Sequence, residues 1–309
     1  MPATTVGLPR SLFFHTEGTL VRRYLEGIGV TAVMSPPTDR GILEAGLSLA
    51  VDETCLPMKI HLGHVAALRG KVDAVLVPRY GVLASSHGEM CVKFWGAYDI
   101  TRNVFPDLEV LSYDVDRMYG DRERKALLGL GRELGASHMA AARALRNARR
   151  EVASEKASLV AGQTILEAEA DPGVPRILVA GHTYILDDRL MGTPILDLLK
   201  AEDVTVLRSD RVPDVKGLRK RAVEFSPGLK WAYNREQLGA IATIRDQVDG
   251  IMVLLSFPCG PDSLVAELVQ RKVRNVPICV IVLDELTATG GLKTRVESFC
   301  DIVKMRRAG

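Results

Sequence analysis

The chain is 309 residues long, 47% hydrophobic and 25% charged, with a net charge of +2. That is core enough for two domains, and the balanced charge excludes the strong basic excess of a nucleic-acid or membrane-surface binder. No apolar run approaches the roughly 18 residues of a membrane span, and the short polar start, Met1 to Thr5, resembles no signal peptide, so a cytoplasmic location is expected.

Strand-like and helix-like stretches alternate along the chain. Thr4–Leu8 reads as a strand, Leu12–Ile28 as a helix and Val30–Met34 as the next strand, ended by Pro36-Pro37. Thr38 is the expected N-cap of a helix over Asp39–Val51. A short helix follows over Lys59–Arg69. Asp73–Val77 is a continuous apolar strand, as expected where both sheet faces are covered. Leu108–Tyr113 closes this β-α-β unit, whose rhythm predicts a parallel sheet with right-handed crossovers.

Asp121–Ala168 is rich in Ala, Leu, Arg and Glu and reads as one or two long helices, with a break near Gly135–Ser137. The spacing of Arg143, Arg146, Arg149 and Arg150 is that of a solvated helix face. Asp171-Pro172-Gly173-Val174-Pro175 is the clearest linker. A second unit then has strands at Arg176–Ala180, Val204–Leu207, Ile251–Leu255 and Ile278–Leu283. Its helices are expected around Ile195–Lys200, Arg235–Val248 and Leu292–Lys304. The expected fold is α/β: two Rossmann-like parallel-sheet lobes, 1–120 and 173–309, with a helical connecting segment at 121–172.

Five cysteines in a reducing compartment are not a disulfide framework. Cys55, Cys91 and Cys259 each lie in a loop-like string: Thr54-Cys55-Leu56-Pro57, Met90-Cys91-Val92 and Pro258-Cys259-Gly260-Pro261. Ligands of parallel sheets gather beyond the carboxyl ends of strands. Cys259 is at such an end, Cys91 lies past the strand Asp73–Val77 after the loop Arg79–Glu89, and Cys55 lies between a helix and a short helix, so all three can reach the cleft between the lobes. Three thiolates suit an iron–sulfur centre with one iron left open; the alternative is three ordinary buried cysteines. Absence of Cys-x-x-Cys argues against a zinc ribbon or a thioredoxin-type site. Cys279 and Cys300 read as core. His61 and His64 stand one turn apart after Cys55, as ligands or as packed side chains. Asp52 with Glu53, and Asp284 with Glu285, could accept protons or hydrogen bonds around such a centre, or serve as caps. Asp262 and Ser263 read as the start of a helix. Lys59 and Lys93 could offset thiolate charge or hold the phosphates of a CoA ester. No Walker-type phosphate loop is present, and Thr289-Gly290-Gly291 reads as a helix start.

These strings are similar to a known family. Val6-Gly7-Leu8-Pro9-Arg10, Asp52-Glu53-Thr54-Cys55-Leu56-Pro57-Met58-Lys59 with Gly63-His64, and Cys91-Val92-Lys93-Phe94 carry the resemblance in the first half. Gly181-His182-Thr183-Tyr184, Phe257-Pro258-Cys259-Gly260-Pro261-Asp262-Ser263 and Asp284-Glu285-Leu286-Thr287 carry it in the second. The chain resembles the 2-hydroxyacyl-CoA dehydratase D-component superfamily, and within it the acyl-CoA dehydratase activase-related, or CoA protein activase, proteins. Val92, Ala97-Tyr98-Asp99 and Thr183 depart from the family pattern.

The resemblance implies an oxygen-sensitive [4Fe-4S] cluster, or a double-cubane cluster, held by Cys55, Cys91 and Cys259. It implies low-potential electrons from an ATP-dependent activator protein with its own cluster, feeding reductive or dehydratase-like chemistry. An acyl-CoA ligand and a homo- or heterodimer go with it, and neither nucleic acid nor membrane. Glu53, His64 and His182 are the catalytic candidates, either for a dehydratase-like lyase or for an iron–sulfur reductase. The alternative is a non-catalytic, cluster-carrying or scaffold subunit of a dehydratase-type complex.

Overall fold

The computed structural model describes residues 3–83, 88–120, 122–287 and 289–308. Residues 84–87 of the Arg79–Glu89 loop, and the expected lobe boundary at 121, lie outside them. In chain order the first elements are β1 (Thr5–Leu8), α1 (Phe14–Gly27), β2 (Thr31–Met34), α2 (Arg40–Leu49), α3 (Leu56–Leu68), β3 (Ala74–Leu76) and β4 (Arg79–Tyr80). They are followed by α4 (Val92–Val104), β5 (Val110–Leu111), β6 (Asp114–Val115), α5 (Glu123–Glu133) and α6 (His138–Glu169). Next come β7 (Arg176–Ala180), α7 (Thr183–Leu186), α8 (Gly192–Lys200), β8 (Thr205–Arg208), α9 (Val215–Arg221) and α10 (Ala232–Ile244). The chain ends with β9 (Gly250–Ser256), α11 (Gly260–Lys272), β10 (Ile278–Leu283) and α12 (Thr289–Ala308).

Contacts divide the chain into two compact units, Met1–Lys156 and Ala157–Gly309, the division falling within α6. The first holds a parallel sheet of order β2-β1-β3-β5, with a small β4-β6 pair beside it. The second holds a parallel sheet of order β10-β9-β7-β8. Numbered within each four-stranded sheet, the strand order is the same: second, first, third, fourth. Both sheets therefore reverse direction between their first and third strands, β1 and β3 in one unit, β7 and β9 in the other. The crevice beyond the carboxyl ends of such a pair is where doubly wound folds bind ligands.

Central β9 is buried at every position, and Leu178, Ile241, Ile251 and Val265 are part of the apolar core around it. Edge strand β10 is only partly buried, and Val282 is 41% exposed. Cys279 on that strand is accordingly half-buried rather than core, whereas Cys300 on α12 is fully buried as expected. The break between α5 and α6 falls at residues 134–137, where Gly135 takes φ +84, a conformation that costs other residues a Cβ clash.

Two expectations change. The N-cap of α2 is Asp39, whose carboxylate accepts from the Ile42 amide at 2.9 Å. Thr38 instead turns its hydroxyl to His64. Helix α3 begins three residues earlier than the apolar pattern suggested, directly after Cys55, because Pro57 is tolerated in a first turn.

Helices α2 and α3 meet backbone to backbone. A Cβ added at Gly63 would lie 1.9 Å from the Ile42 carbonyl oxygen, and one at Gly46 would lie 1.9 Å from that of Lys59. Neither obstacle can swing aside, since each is main chain within a helix. Gly63→Ala is therefore expected to destabilise the protein by about 2 kcal/mol or more, as overpacking does. Gly162→Ala in α6 meets nothing within 4 Å and is expected to stabilise by up to about 1 kcal/mol. Urea denaturation of both variants checks the contrast; equal stabilities would refute the contact.

Candidate functional site

Cys55, Cys91 and Cys259 have the same local setting. Each is the N-cap of a helix, α3, α4 and α11 respectively, and none makes a side-chain cap hydrogen bond. All three are half-buried and none is in a disulfide. A helix N-terminus presents unpaired amides and partial positive charge, a field that favours anionic sulfur. In the first unit α3 runs down to β3 and α4 to β5. A right-handed crossover helix starts at the carboxyl edge of its sheet, so this connectivity sets Cys55 and Cys91 at that edge. The helix after Cys91 had no counterpart in the sequence reading, because its apolar spacing is weak.

Two buried histidines fix this edge. His61 Nε2 lies 3.1 Å from Thr101 Oγ1, and Nδ1 lies 2.9 Å from Ser11 Oγ. Thr101 donates its own proton to the Ala97 carbonyl at 2.7 Å. His61 must therefore donate from Nε2 and accept at Nδ1. His64 is arranged alike: Nδ1 is 2.8 Å from Ser35 Oγ, which also accepts from the Arg10 amide at 2.8 Å, and Nε2 is 3.0 Å from Thr38 Oγ1. Helix α3 is thus tied to the loops after β1 and β2 and, through Thr101, to α4. With both nitrogens committed to hydroxyls, neither ring is free to ligate a metal or to transfer a proton as it stands. Burial pushes His61 down to about 4, and burial with the neighbouring charges of His61, His15 and Arg10 pushes His64 down to about 3.

In the second unit, His182 caps α7 after β7, and Cys259 caps α11 after β9, so both stand beyond the switch-point strands. His182 Nε2 meets Asp262 Oδ1 at 2.7 Å, and Asn234 Nδ2 donates to the same oxygen at 2.7 Å. The Cys259 side chain also hydrogen-bonds the Asp262 carboxylate, and Tyr184 stacks on the His182 ring at 5.0 Å. Burial opposes both charges, yet the pair overrides it: His182 is raised by Asp262, and Asp262 is lowered by His182, Asn234 and Cys259. Asp262 Oδ1 carries both strong bonds, while buried Oδ2 has no nitrogen or oxygen partner.

Asp262 is thus more than a helix-starting acid. It is 3% exposed and is the hub of this cluster. Its spacing, three residues after an N-cap, is that of a capping box and was a usable signal; Asn234, on a distant helix, gave none. Glu53 is exposed in the turn before Cys55. Asp284 closes its own loop, accepting from the Leu286 amide at 2.8 Å and Thr287 Oγ1 at 2.9 Å. Lys59 is buried in α3 and Lys93 is half-buried. Among the described residues, no three His, Cys, Asp or Glu side chains are gathered as a metal-binding group. No helix among them is long and apolar enough to cross a membrane.

Fold and site together define an α/β protein of two parallel-sheet units, with cysteine-capped helices in each. Residues 5–212 match the family described as CoA enzyme activase uncharacterised domain, and the chain belongs to that family. The match supports the activase-related half of the resemblance and does not extend to the dehydratase D-component itself. No curated protein matches the chain.

Three solved structures illustrate how far the fold is shared. One is a Cd-bound periplasmic metal binding protein from Candidatus Liberibacter asiaticus, 14% identical, covering 98% of this chain and 99% of that one at a TM-score of 0.30. Another is an FpvC mutant from Pseudomonas aeruginosa, 14% identical, covering 99% and 100% at 0.27. Glucosamine-6-phosphate deaminase from Thermotoga maritima is 8% identical, covering 99% and 86% at 0.25. Superposition this loose carries no functional argument.

Two outcomes test the histidine networks. His61 and His64 are neutral when folded but titrate near 6.5 when unfolded. Their contribution is complete above about pH 6.5 and is lost as pH falls through the folded values near 4 and 3. Unfolding should take up about two protons in that window, and stability should fall by about 3 kcal/mol for His61 alone. Trp95 fluorescence in a Trp231→Phe variant reads it in the first unit; a flat profile from pH 7 to about 4 would refute it. In the second unit, Asp262→Ala leaves a buried imidazole without its acceptor and should cost about 3 kcal/mol or more in urea melts. A loss below about 1 kcal/mol would show the pair to be dispensable.

Proposed function

We propose that this member of the CoA enzyme activase-related family is an iron–sulfur protein with Cys55, Cys91 and Cys259 as the sulfur ligands. The observation that carries the reading is that all three stand at helix N-caps without a side-chain cap bond, half-buried and in no disulfide. Donor chemistry fits a cluster: thiols outside any disulfide, partial access and positive helix ends around sulfur. Because the three are not gathered as a metal group among the described residues, the reading includes their being brought together on loading.

A bound cluster would accept and release single low-potential electrons. The chain's own residues would hold it by sulfur, stabilise its negative charge with helix amides and orient Cys259 through Asp262. The electrons would come from an ATP-hydrolysing activator, and this chain would use them in reductive or dehydratase-like chemistry. Exposed apolar side chains flank two of the cysteines: Val92 is 80% exposed beside Cys91, and Phe257 is 56% exposed near Cys259. Such side chains suit a protein partner docking over the cysteines.

Anaerobic expression and reconstitution test the proposal. A brown protein holding about four iron and four sulfide per cluster is expected, with the colour lost in Cys55→Ser, Cys91→Ser and Cys259→Ser but kept in Cys279→Ser. A chain that stays colourless and iron-free after reconstitution would overturn it.

A further inference from the structure

The switch point of the first unit holds a cleft that the cysteines do not use. It is a cavity of about 40 Å³ at the carboxyl ends of β1 and β3, lined by Ser11, Phe13, Phe14, Glu17, His61 and Tyr113 among others. Its walls are apolar and aromatic, and no lysine or arginine lines it.

The hydrogen-bonding sense of the cleft follows from the residues around it. Since His61 accepts at Nδ1, the Ser11 hydroxyl proton is spent on His61. Ser11 Oγ can therefore offer the cleft only lone pairs. The amides at the start of α1 are also spent: Phe14 donates to the Ser11 carbonyl at 3.0 Å, Thr16 to that of Phe13 at 3.1 Å and Glu17 to that of Phe13 at 2.7 Å. This helix end thus lacks the free amides that would bind a phosphate. Glu17 has no hydrogen bond or ion pair to another described residue. Burial, and then Glu123, push its carboxyl up to about 7 against the pull of Lys156 and Arg149. That is the behaviour of a carboxylate short of a cation.

We propose that this cleft binds a small primary ammonium ion with a short apolar body, its N–H groups donating to Glu17 and Ser11 Oγ and its carbon chain lying against Phe13, Phe14 and Tyr113. The lone pairs of Ser11 Oγ, the Glu17 carboxyl and the aromatic faces all select a cation over an anion of the same size. The site is independent of the iron–sulfur reading, since it requires none of the cysteines.

The test compares propylammonium, propanol and propionate by calorimetry and ligand-observed NMR at about pH 8, where Glu17 is mostly ionised and the amine is still charged. Saturable binding is expected for propylammonium, and weaker binding or none for the other two. Glu17→Gln should weaken the amine by about tenfold or more, and Ser11→Ala by a few-fold. Propanol or propionate binding as well as the amine would overturn the proposal. So would unchanged amine affinity in a folded Glu17→Gln protein, or no saturation by the amine below about 100 mM. Were Glu17→Gln not to fold, Ser11→Ala and the three-ligand comparison on the unaltered chain decide the matter alone.

Discussion

A buried imidazole must find a partner for each ring nitrogen or lose the free energy of an unmet hydrogen bond. That requirement organises the functional edge of the first unit. His61 and His64 lie one turn apart on α3, and their four nitrogens reach Ser11, Thr101, Ser35 and Thr38. Those hydroxyls belong to the loop after β1, the loop after β2, and α4. One helix therefore sets the positions of two loops and of the helix that Cys91 caps. The glycine contact of α2 with α3 fixes the other side of the same helix, so its first residue, next to Cys55, has little room to shift.

The second unit meets the same requirement with charge. His182 and Asp262 are both buried, and each holds the other in its ionised form. Neutral histidine–hydroxyl bonds are modest but tolerant of geometry, whereas a buried ion pair is costly to break and adds little net stability while intact. Asp262 reaches Cys259 as well, so the pair fixes the cysteine at the switch point. In both units a histidine on or before a helix disciplines a cysteine-capped edge, once by hydroxyls and once by a carboxylate.

Much of this architecture was readable in the sequence. Continuous apolar strands such as Arg176–Ala180 and Ile278–Leu283 were placed to the residue, because each run follows a proline and ends at a turn-forming residue, Gly181 or Asp284. Helix α4 was not, since its apolar positions are few and its amphipathic signal is weak. The Asp39 cap was missed by one residue because Thr and Asp are near-equal caps, and only the long-range bond of Thr38 to His64 decides between them. At the site, the cysteines and His182 stood out by type and setting. Asn234 and Thr101 did not, because their partners lie on other elements and nothing local marks them.

The cysteines carry a further argument in what they replace. Ser, Thr, Asp or Asn at a helix N-cap is worth about 1 kcal/mol over a residue that makes no cap bond. Helices α3, α4 and α11 each forgo it, having cysteine at the cap and no side-chain bond there. Helices α2 and α9 have an aspartate cap, whereas α1, α5, α7, α8 and α10 have neither a cysteine nor a side-chain cap bond, so it is the sulfur and not the missing bond that sets α3, α4 and α11 apart. Cysteine adds to that place a soft sulfur donor at a positive helix end, which supports reading the three sites as ligands rather than as small hydrophobes.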